Sequence, residues 1–470
     1  MEIYLKSDVF KLYFCSLLIE YGCSWCMKAA VSVSNKEIWQ ITYPIIFGNL
    51  AQTIIVFVNT VFLGHVGNAE LGAAMMAGLY YLVFTTITQG FAVGVQIMVA
   101  RRLGEGNLRR IGPVFEHGLM FTLFFGLFLL GMMAFFTEPF FSKIIHSQAI
   151  YTSAIEFMRF RQWGILFVSV NYLFRSLYIG LSNTKIITLT TLMMAVVNIF
   201  FDYSLIFGHF GLPEMGVAGA GLSSVMAEVT ATMVFFTYTF VKLPCKQYDL
   251  FRFKSFDIRL LGSVLRISVP TMLQRLISFG TWFLFFAMIE HLGEEAMAIS
   301  GIVRSVYMLC TISVFAYCAT ANTLTSRLIG AGKSDEVRRT LRRIVRMSLL
   351  TLLPILLVFA IFPRQIASFY TDDIQLAAQS VPALYTIYVG AIIMTAAMVY
   401  FEFVSGTGKT LMALFMETGV LVFYILYIYM ATEKLHLPIR WVWCSEWVYS
   451  VLILIASLLF MRIYPWEKRQ

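Results

Sequence analysis

The chain has 470 residues, of which 59% are hydrophobic and only 13% are charged, and its mean hydropathy is +0.78. Soluble globular domains carry about 25% charged residues, so this composition excludes a soluble globular domain and indicates a protein embedded in lipid. Lys and Arg (35 residues) outnumber Asp and Glu (26 residues), which gives a formal net charge of +9.

The first 27 residues match nothing later in the chain, and their status stays open. Residues 10–19 form a weak signal-like apolar run, and Met27 is an alternative translation start. Cys23 and Cys26 form a lone C-x-x-C without a second pair or a nearby histidine, so we expect no zinc site there. We therefore separate residues 1–37 from the rest as an N-terminal extension.

Long apolar stretches then follow one another, each near or above the roughly 20 residues that cross a bilayer. They predict twelve spans, near 38–64, 72–100, 112–136, 150–180, 185–208, 216–241, 260–290, 296–326, 344–362, 375–407, 410–431 and 440–462. The predicted fold is an all-α polytopic membrane protein with twelve transmembrane helices in two pseudo-symmetric six-helix lobes. The lobes comprise 38–243 and 260–463, with a cytoplasmic linker at 244–259 and a cytoplasmic tail at 464–470.

The positive charges lie in alternate connections between the predicted spans. One set of connections is basic and holds Arg101, Arg102, Arg109, Arg110, Lys185, Lys242, Lys246, Arg252, Lys254, Arg259, Arg327, Lys333, Arg338, Arg339, Arg342, Arg343 and Lys409. The other set is mainly acidic and holds Glu70, Glu138, Glu214, Glu294, Glu295, Asp372, Asp373 and Glu433. By the positive-inside rule, the basic connections and both termini are predicted to be cytoplasmic. Topology thus accounts for the basic charge, and no nucleic-acid partner is expected.

The two halves of the chain repeat each other at an offset of 226 residues. The matches include Pro44 with Pro270, His65 with His291, Arg101 with Arg327, Gly104 with Gly330, Gly180 with Gly406 and Thr184 with Thr410. An even number of spans per half gives both halves the same orientation, so the repeat is parallel, with its axis along the membrane normal. Duplicated halves of this kind are typical of secondary transporters, in which one half rocks against the other.

An ionisable side chain inside a span costs several kcal/mol unless it faces a cavity or a partner, so each one is a functional candidate. Asp202 is the leading candidate, because it follows Asn198 by four residues on one face of the fifth span. Desolvation disfavours the charged form of a carboxyl, which suits a group that binds and releases a proton. The alternative interpretation is a structural acid that is hydrogen-bonded to Asn198 and water.

The remaining charges inside spans receive no assigned function from the sequence. For Arg175, extension to the lipid headgroups is favoured over pairing with a carboxylate. Five others are expected to line the interior or to pair between helices: Arg275, Arg304, Glu228, Glu402 and Glu417.

The chain resembles the multidrug and toxic compound extrusion (MATE) transporters from about Trp39 to Arg462. The resemblance is carried by the segment from Pro44 to Gly64, by Asn198 to Gly208, by Gly216 to Gly221 and by the turns after the fourth and tenth spans. It implies an efflux antiporter with a central cavity between two lobes, driven by H⁺ or Na⁺.

The resemblance also implies a cation site in the N-terminal lobe. In relatives, an acid of the first helix joins the Asn/Asp pair of the fifth and a hydroxyl of the sixth, while a proline permits the first helix to bend. Asn198, Asp202 and Pro44 match this pattern, and Ser224 is the expected hydroxyl. The chain departs from it at position 59, where Asn59 replaces the acid and is expected to complete the cluster with Asn198 and Asp202. Relatives with a second site carry its acid in the seventh helix, where this chain has Ser278.

The sequence therefore predicts an antiporter of the cell membrane that exports organic cations or other amphipathic toxic compounds, with H⁺ favoured over Na⁺. We expect a monomer that binds small amphipathic molecules and has no resident metal, cofactor or enzymatic activity. The alternative is a flippase for lipid-linked precursors, which three arginines (Arg175, Arg275 and Arg304) would serve by binding pyrophosphate. At the offset of 226, the site residues map onto Phe285, Tyr424 and Ile428, so we expect the cation site in the first half alone.

Overall fold

The structure, a computed structural model, describes residues 33–253 and 256–466. The predictions about Cys23, Cys26 and Met27 lie outside the described residues, as do those about residues 467–470. In the described part of the chain, helices joined by short turns make up nearly the whole fold.

Two sets of six transmembrane helices form the two lobes. In the N-terminal lobe, α1 is Asn35–Val66, α2 is Asn68–Gly104, α3 is Ile111–Ile144, α4 consists of the two segments Gln148–Arg161 and Gly164–Gly180, α5 is Lys185–Phe207 and α6 is Gly216–Lys242. In the C-terminal lobe, α7 is Ile258–Glu290, α8 is Glu294–Gly330, α9 is Ser334–Ile361, α10 is Ile374–Gly406, α11 is Thr410–Tyr429 and α12 is Ser445–Ile463. Short helices at Leu108–Arg110, Cys245–Tyr248, Pro363–Ser368, Met430–Lys434 and Ile439–Val442 lie in the connections.

Among the described residues, eleven of the predicted spans correspond to helices that are long and apolar enough to cross a membrane. The fourth predicted span, 150–180, is instead broken into two shorter helices. The amides of Gln162, Trp163 and Ile165 still bond carbonyls three or four residues earlier, at 3.1–3.2 Å, so the break is a tightened turn. The fourth segment of the lobe thus continues through the break, which lies beside Arg161.

The helix that contains the ninth predicted span is longer than the span itself. The sequence predicts a span near 344–362, and α9 begins at Ser334 and includes Arg338, Arg342 and Arg343. Charged residues lower the local hydropathy, so a hydropathy criterion stops where the helix leaves the lipid. A helix continues past that point because its backbone hydrogen bonds do not depend on the solvent around its side chains.

The segment between the lobes is held against α3. Glu116 accepts the amides of Arg252 and Phe253, at 2.7 and 3.2 Å, and His117 accepts the amide of Asp257 at 2.8 Å. Both side chains are buried. These bonds satisfy backbone amides in the connection that leads into α7.

The two lobes join at one end of the bundle, here called the basic end because it carries Arg101 and Arg327. One continuous hydrophobic core extends through the C-terminal lobe and the adjoining half of the N-terminal lobe. A second, separate core fills the opposite half of the N-terminal lobe, around Leu63, Tyr81 and Phe157. Because the shared core lies at the basic end, the lobes are closed there, and their opposite halves pack separately.

The closure depends on a reciprocal helix crossing. A side chain added at Gly104 of α2 would overlap the Arg327 carbonyl of α8, and one added at Gly330 of α8 would overlap the Arg101 carbonyl of α2. At the offset of 226, Gly104 corresponds to Gly330 and Arg101 corresponds to Arg327. The absence of side chains at both glycines lets the backbones approach closely, as small residues do between membrane helices.

Candidate cation site and intramembrane charges

Asp202 lies in the middle of the N-terminal lobe, in the last two turns of α5. Its side chain is 0% exposed, and its Oδ1 accepts a hydrogen bond from the hydroxyl of Ser223 on α6. In the described part of the chain, no lysine, arginine or histidine forms an ion pair with it. A carboxyl in this setting has only neutral partners, so nothing offsets the cost of burying its charge except hydrogen bonds.

Asn59 of α1 and Asn198 of α5 complete the cluster. With the Asn59 amide oriented so that its nitrogen faces these groups, it donates to Asp202 Oδ2, to Asn198 Oδ1 at 2.8 Å and to the Ile55 carbonyl at 3.1 Å. Asn198 is buried and its Nδ2 has no acceptor, while Asn59 is only partly buried. The cluster is therefore rich in donors, and Asn59 is its most accessible member.

The structure brings together three of the four residues that the sequence placed in this site, and it replaces the fourth. Ser224 does not contact Asp202; its hydroxyl donates to the Ala220 carbonyl of its own helix at 3.0 Å. Ser223 occupies the expected place. Neighbouring residues on a helix point about 100° apart, so the prediction of Ser224 is wrong by one position, and only the rotation of α6 decides between the two serines.

Pro44 lies within α1, and α5 supplies hydrogen bonds around it. Proline has no N–H for the Gln40 carbonyl, which leaves that group without its partner in the helix. The buried Thr184 hydroxyl lies 3.3 Å from the Gln40 oxygen and 2.8 Å from that of Ile41, and the Thr188 hydroxyl bonds the Pro44 oxygen at 2.9 Å. Helices α1 and α5 are thus joined by polar contacts both at Pro44 and at Asn59.

Glu228 of α6 has a strong cationic partner that the sequence did not reveal. Arg161, at the break in α4, donates to both of its carboxylate oxygens at 2.7 and 3.0 Å. The guanidinium also lies 3.7 Å from the centre of the Tyr81 ring. Arg161 was missed because its position in the fourth predicted span does not show that the helix breaks there.

The three arginines named for pyrophosphate binding each have a protein partner. Arg175 neither extends to the lipid headgroups nor pairs with a carboxylate, because it donates to the Asn49 side chain at 2.6 Å. Arg275 lies 3.8 Å from Glu402, and Arg304 lies over the Phe286 ring at 5.4 Å. Glu402 also accepts from Asn322 at 2.9 Å.

Two further acids lie inside the C-terminal lobe. Glu417 of α11 accepts from the hydroxyls of Ser278 and Tyr449, at 2.6 and 3.2 Å. Glu446 of α12 accepts from Tyr307 and Tyr424, both at 3.0 Å. Glu446 was missed from the sequence, although an acid within the predicted span 440–462 satisfies the same criterion that selected Asp202. The expectation of a site in the first half alone therefore overlooked this carboxyl.

A model of the MatE family matches the chain twice, over residues 44–204 and 270–430. The two matches cover more than half of the chain and are offset by 226 residues, as the internal repeat is. The chain belongs to the MATE family. The resemblance seen in the sequence is thereby confirmed, and so is the architecture of two repeated lobes. MATE proteins are transporters, so the family is not an enzyme class, and this chain is a multi-pass membrane protein.

Individual relatives agree with this assignment. The chain is 24% identical over 364 residues to a probable multidrug resistance protein NorM of Thermotoga maritima, with 74% of this chain and 75% of that protein covered. It superimposes, with a TM-score of 0.84 and 20% identity, on an outward-facing multidrug resistance MATE family transporter of the MOP superfamily. A MOP superfamily transporter from Pyrococcus furiosus gives the same score and identity, and each comparison covers 93% of this chain and 97% of the other.

Proposed function

We propose that this MATE protein is a secondary antiporter of the cell membrane that exports amphipathic organic cations or other toxic compounds in exchange for H⁺. The observation that carries the proposal is the fully buried Asp202, whose hydrogen-bond partners are neutral donors. The names of the relatives as multidrug resistance proteins support the class of substrate.

The charge of the cluster favours H⁺ over Na⁺ as the coupling ion. Asn59 and Asn198 are neutral amides, so a sodium ion bound beside Asp202 would meet a single negative charge. A proton requires only that carboxylate.

The basic end is assigned to the cytoplasm by the positive-inside rule, together with both termini. The lobes are then closed towards the cytoplasm, and the proton arrives from outside, where Asn59 is accessible. Protonation of Asp202 removes the charge that holds the Asn59 amide and the Ser223 hydroxyl. Because α1 contains Pro44, it bends when this contact weakens, and the bend couples proton binding to rearrangement of the lobes.

The test is substrate-driven proton movement in proteoliposomes, with ethidium as the organic cation. We expect Asp202→Asn to abolish ethidium transport driven by the pH gradient, because the amide cannot take up a proton. Glu138→Gln, which neutralises an exposed acid on α3, is the control and should transport normally. Transport by Asp202→Asn with an unchanged pH dependence would refute the coupling role.

The same proteoliposomes test the two alternatives, which are coupling to Na⁺ and a flippase for lipid-linked precursors. A requirement for Na⁺ at a fixed pH gradient, tested by replacing Na⁺ with choline, would assign sodium as the coupling ion. Binding of lipid-linked sugars that is lost on replacing Arg175, Arg275 or Arg304 would support the flippase. The hydrogen bond of Arg175 to Asn49 and the ion pair of Arg275 with Glu402 support drug export instead, because these cations already have partners.

A further inference from the structure

Glu446 is a buried acid in the first turn of α12, and it has no cationic partner among the described residues. Its side chain is 7% exposed, and its two carboxylate oxygens accept from different helices. Tyr307 of α8 donates to Oε2 and Tyr424 of α11 donates to Oε1, each at 3.0 Å. As at Asp202, only neutral donors offset the burial of this carboxyl.

The internal repeat places Glu446 where the N-terminal lobe holds its cation cluster. At the offset of 226, Asn59 corresponds to Phe285 and Asn198 to Tyr424, whose rings lie 6.2 Å apart. Glu446 itself lies on α12, the sixth helix of its lobe, as α6 is in the N-terminal lobe. The acid of the C-terminal lobe therefore comes from the counterpart of α6, whereas Asp202 comes from α5. For this reason the sequence offset alone, which pairs Asp202 with Ile428, found no second acid.

The surroundings of Glu446 satisfy both of its protonation states. The Tyr307 hydroxyl lies 3.0 Å from Glu446 Oε2 and 2.7 Å from the sulfur of Met394 on α10. When the carboxyl is ionised, Tyr307 donates to it. When the carboxyl is protonated, its O–H donates to the Tyr307 oxygen, and the Tyr307 proton turns to Met394. One rotation of a hydroxyl thus accommodates the added proton without leaving a buried donor unpaired.

Among the described residues, no cationic side chain forms an ion pair with Glu446. The negative charge of its carboxylate can therefore be neutralised by a proton but not by a neighbouring side chain. The titratable groups that face it in the described structure are tyrosines: Tyr307 from α8, Tyr424 from α11 and Tyr449 from α12 itself. The tyrosines that donate to it pack in turn on apolar side chains, Tyr424 on Phe285 of α7 and Tyr307 on Met394 of α10. Beyond Tyr449 lies Glu417, an acid, and Arg275 is paired with Glu402.

We propose that Glu446 is a second proton-binding site, in the C-terminal lobe, that takes up and releases one proton through the Tyr307–Met394 pair. Its contribution to transport rests on the antiport proposed above, whereas the proton binding itself does not. The site would let each lobe carry a protonatable carboxyl, on helices that do not correspond in the repeat.

The direct test is an infrared pH titration of the full-length protein in lipid nanodiscs, which records the absorption of protonated carboxylic acids. We expect Glu446→Gln to remove one titrating component and Asp202→Asn to remove another. Glu290→Gln, an exposed acid at the end of α7, should remove none of the buried components and is the control. If Glu446→Gln leaves every component unchanged while the protein stays folded, the inference is wrong.

Two neighbouring substitutions test the hydroxyl rotation itself. Tyr307→Phe removes a donor to the carboxylate, so the Glu446 component should titrate at higher pH than in the wild type. Met394→Leu removes the alternative acceptor and weakens the protonated state, so the component should titrate at lower pH. Hydrogen bonds to charged groups contribute about 1.5–3 kcal/mol and neutral ones about 0.5–1.5 kcal/mol, so the Tyr307→Phe shift should be the larger. Shifts in the same direction would contradict the proposed switch.

Transport measurements then separate this inference from the proposed function. In proteoliposomes, Glu446→Gln should lower the number of protons exchanged per ethidium by about one, with the dependence on Asp202 retained. Antiport that depends on Asp202 with an unchanged proton stoichiometry would refute the role of Glu446 alone. An infrared component assigned to Glu446 in a protein that moves no ethidium would leave the proton site standing and refute the proposed antiport.

Discussion

At the scale of single residues, the carboxylates inside the bilayer differ in the charge of their partners. Glu228 is held by the guanidinium of Arg161 through two hydrogen bonds, which keep both groups charged. Asp202, Glu446 and Glu417 accept from neutral hydroxyl or amide donors. We therefore separate a structural ion pair at Glu228 from carboxyls whose partners are neutral, among which Asp202 and Glu446 are the ones proposed to exchange a proton.

This distinction predicts different costs of mutation. We expect Glu228→Gln to lower the apparent free energy of unfolding by about 3–5 kcal/mol, since it leaves Arg161 buried without an anion. The measurement is denaturant unfolding in detergent micelles. Glu105→Gln breaks the Arg102–Glu105 pair, whose side chains are more exposed, and should cost no more than about 1 kcal/mol. Equal losses in the two variants would contradict the structural role of the buried pair.

At the scale of helices, hydrogen bonds connect α1 and α5 at two positions along their length. Thr184 and Thr188 of α5 bond carbonyls next to Pro44, and Asn198 and Asp202 bond Asn59 near the other end of α1. Close packing at Gly48, against Ile187 and Thr191, lies between the two connections. A bend in α1 therefore begins at a point where α5 already supplies substitute hydrogen bonds.

The arrangement predicts that Pro44→Ala retains substrate binding but slows transport. Alanine restores the N–H that bonds the Gln40 carbonyl, so α1 becomes stiffer. An increase of about 1.4 kcal/mol in the barrier to bending would reduce turnover about tenfold. Ethidium binding to the purified protein and ethidium efflux from vesicles give the two quantities. Pro139→Ala, a proline within α3 outside the site, is the control, and an equal loss of transport there would argue against a specific bend in α1.

At the scale of the whole molecule, two arginines related by the repeat hold the lobes together at the basic end. Arg101 of α2 donates to the Thr407 carbonyl of the C-terminal lobe at 2.6 Å. Arg327 of α8 reaches the N-terminal lobe, where it bonds Glu37 at 2.5 Å and Ser182 at 3.3 Å. Each lobe thus sends its arginine to the turn after the fourth or tenth helix of the other, beside the crossing at Gly104 and Gly330.

These contacts should break when the basic end opens. We expect Arg327→Gln to raise the population of molecules open at that end by roughly tenfold or more, since a hydrogen bond to a charged group contributes about 1.5–3 kcal/mol. The readout is the rate at which a water-soluble maleimide labels Thr323→Cys, placed in an otherwise cysteine-free protein. Thr323 is buried between the lobes and contacts Gln96 at 3.0 Å.

Arg102→Gln is the matched control for this experiment. Arg102 lies beside Arg101 but bonds Glu105 of its own lobe at 2.8 Å, so its loss should leave the labelling rate unchanged. A similar acceleration in both variants would show that general loss of positive charge, and not the contact between lobes, controls the opening.

Most of the fold could be predicted because hydropathy and the internal repeat are visible in the sequence without knowledge of which helices pack together. In lipid, each span must satisfy its own backbone hydrogen bonds, so an apolar stretch of sufficient length has few alternatives to a helix. Hydropathy predicts neither the break in α4 nor the extension of α9 before its span, because polar side chains such as Gln162 or Arg342 change the hydropathy without showing whether the helix continues.

The cation cluster could be predicted only in part. The i, i+4 spacing places Asn198 and Asp202 on one face without knowledge of the neighbouring helices. The choice between Ser223 and Ser224 depends on the rotation of α6 against α5, and the acid at Glu446 depends on which helix of the second lobe faces Tyr424. The amino-acid sequence by itself thus determined the membrane helices, their duplication and the leading acid. Only the tertiary structure decided the partners of each buried charge, because those partners lie on different helices and are selected by packing.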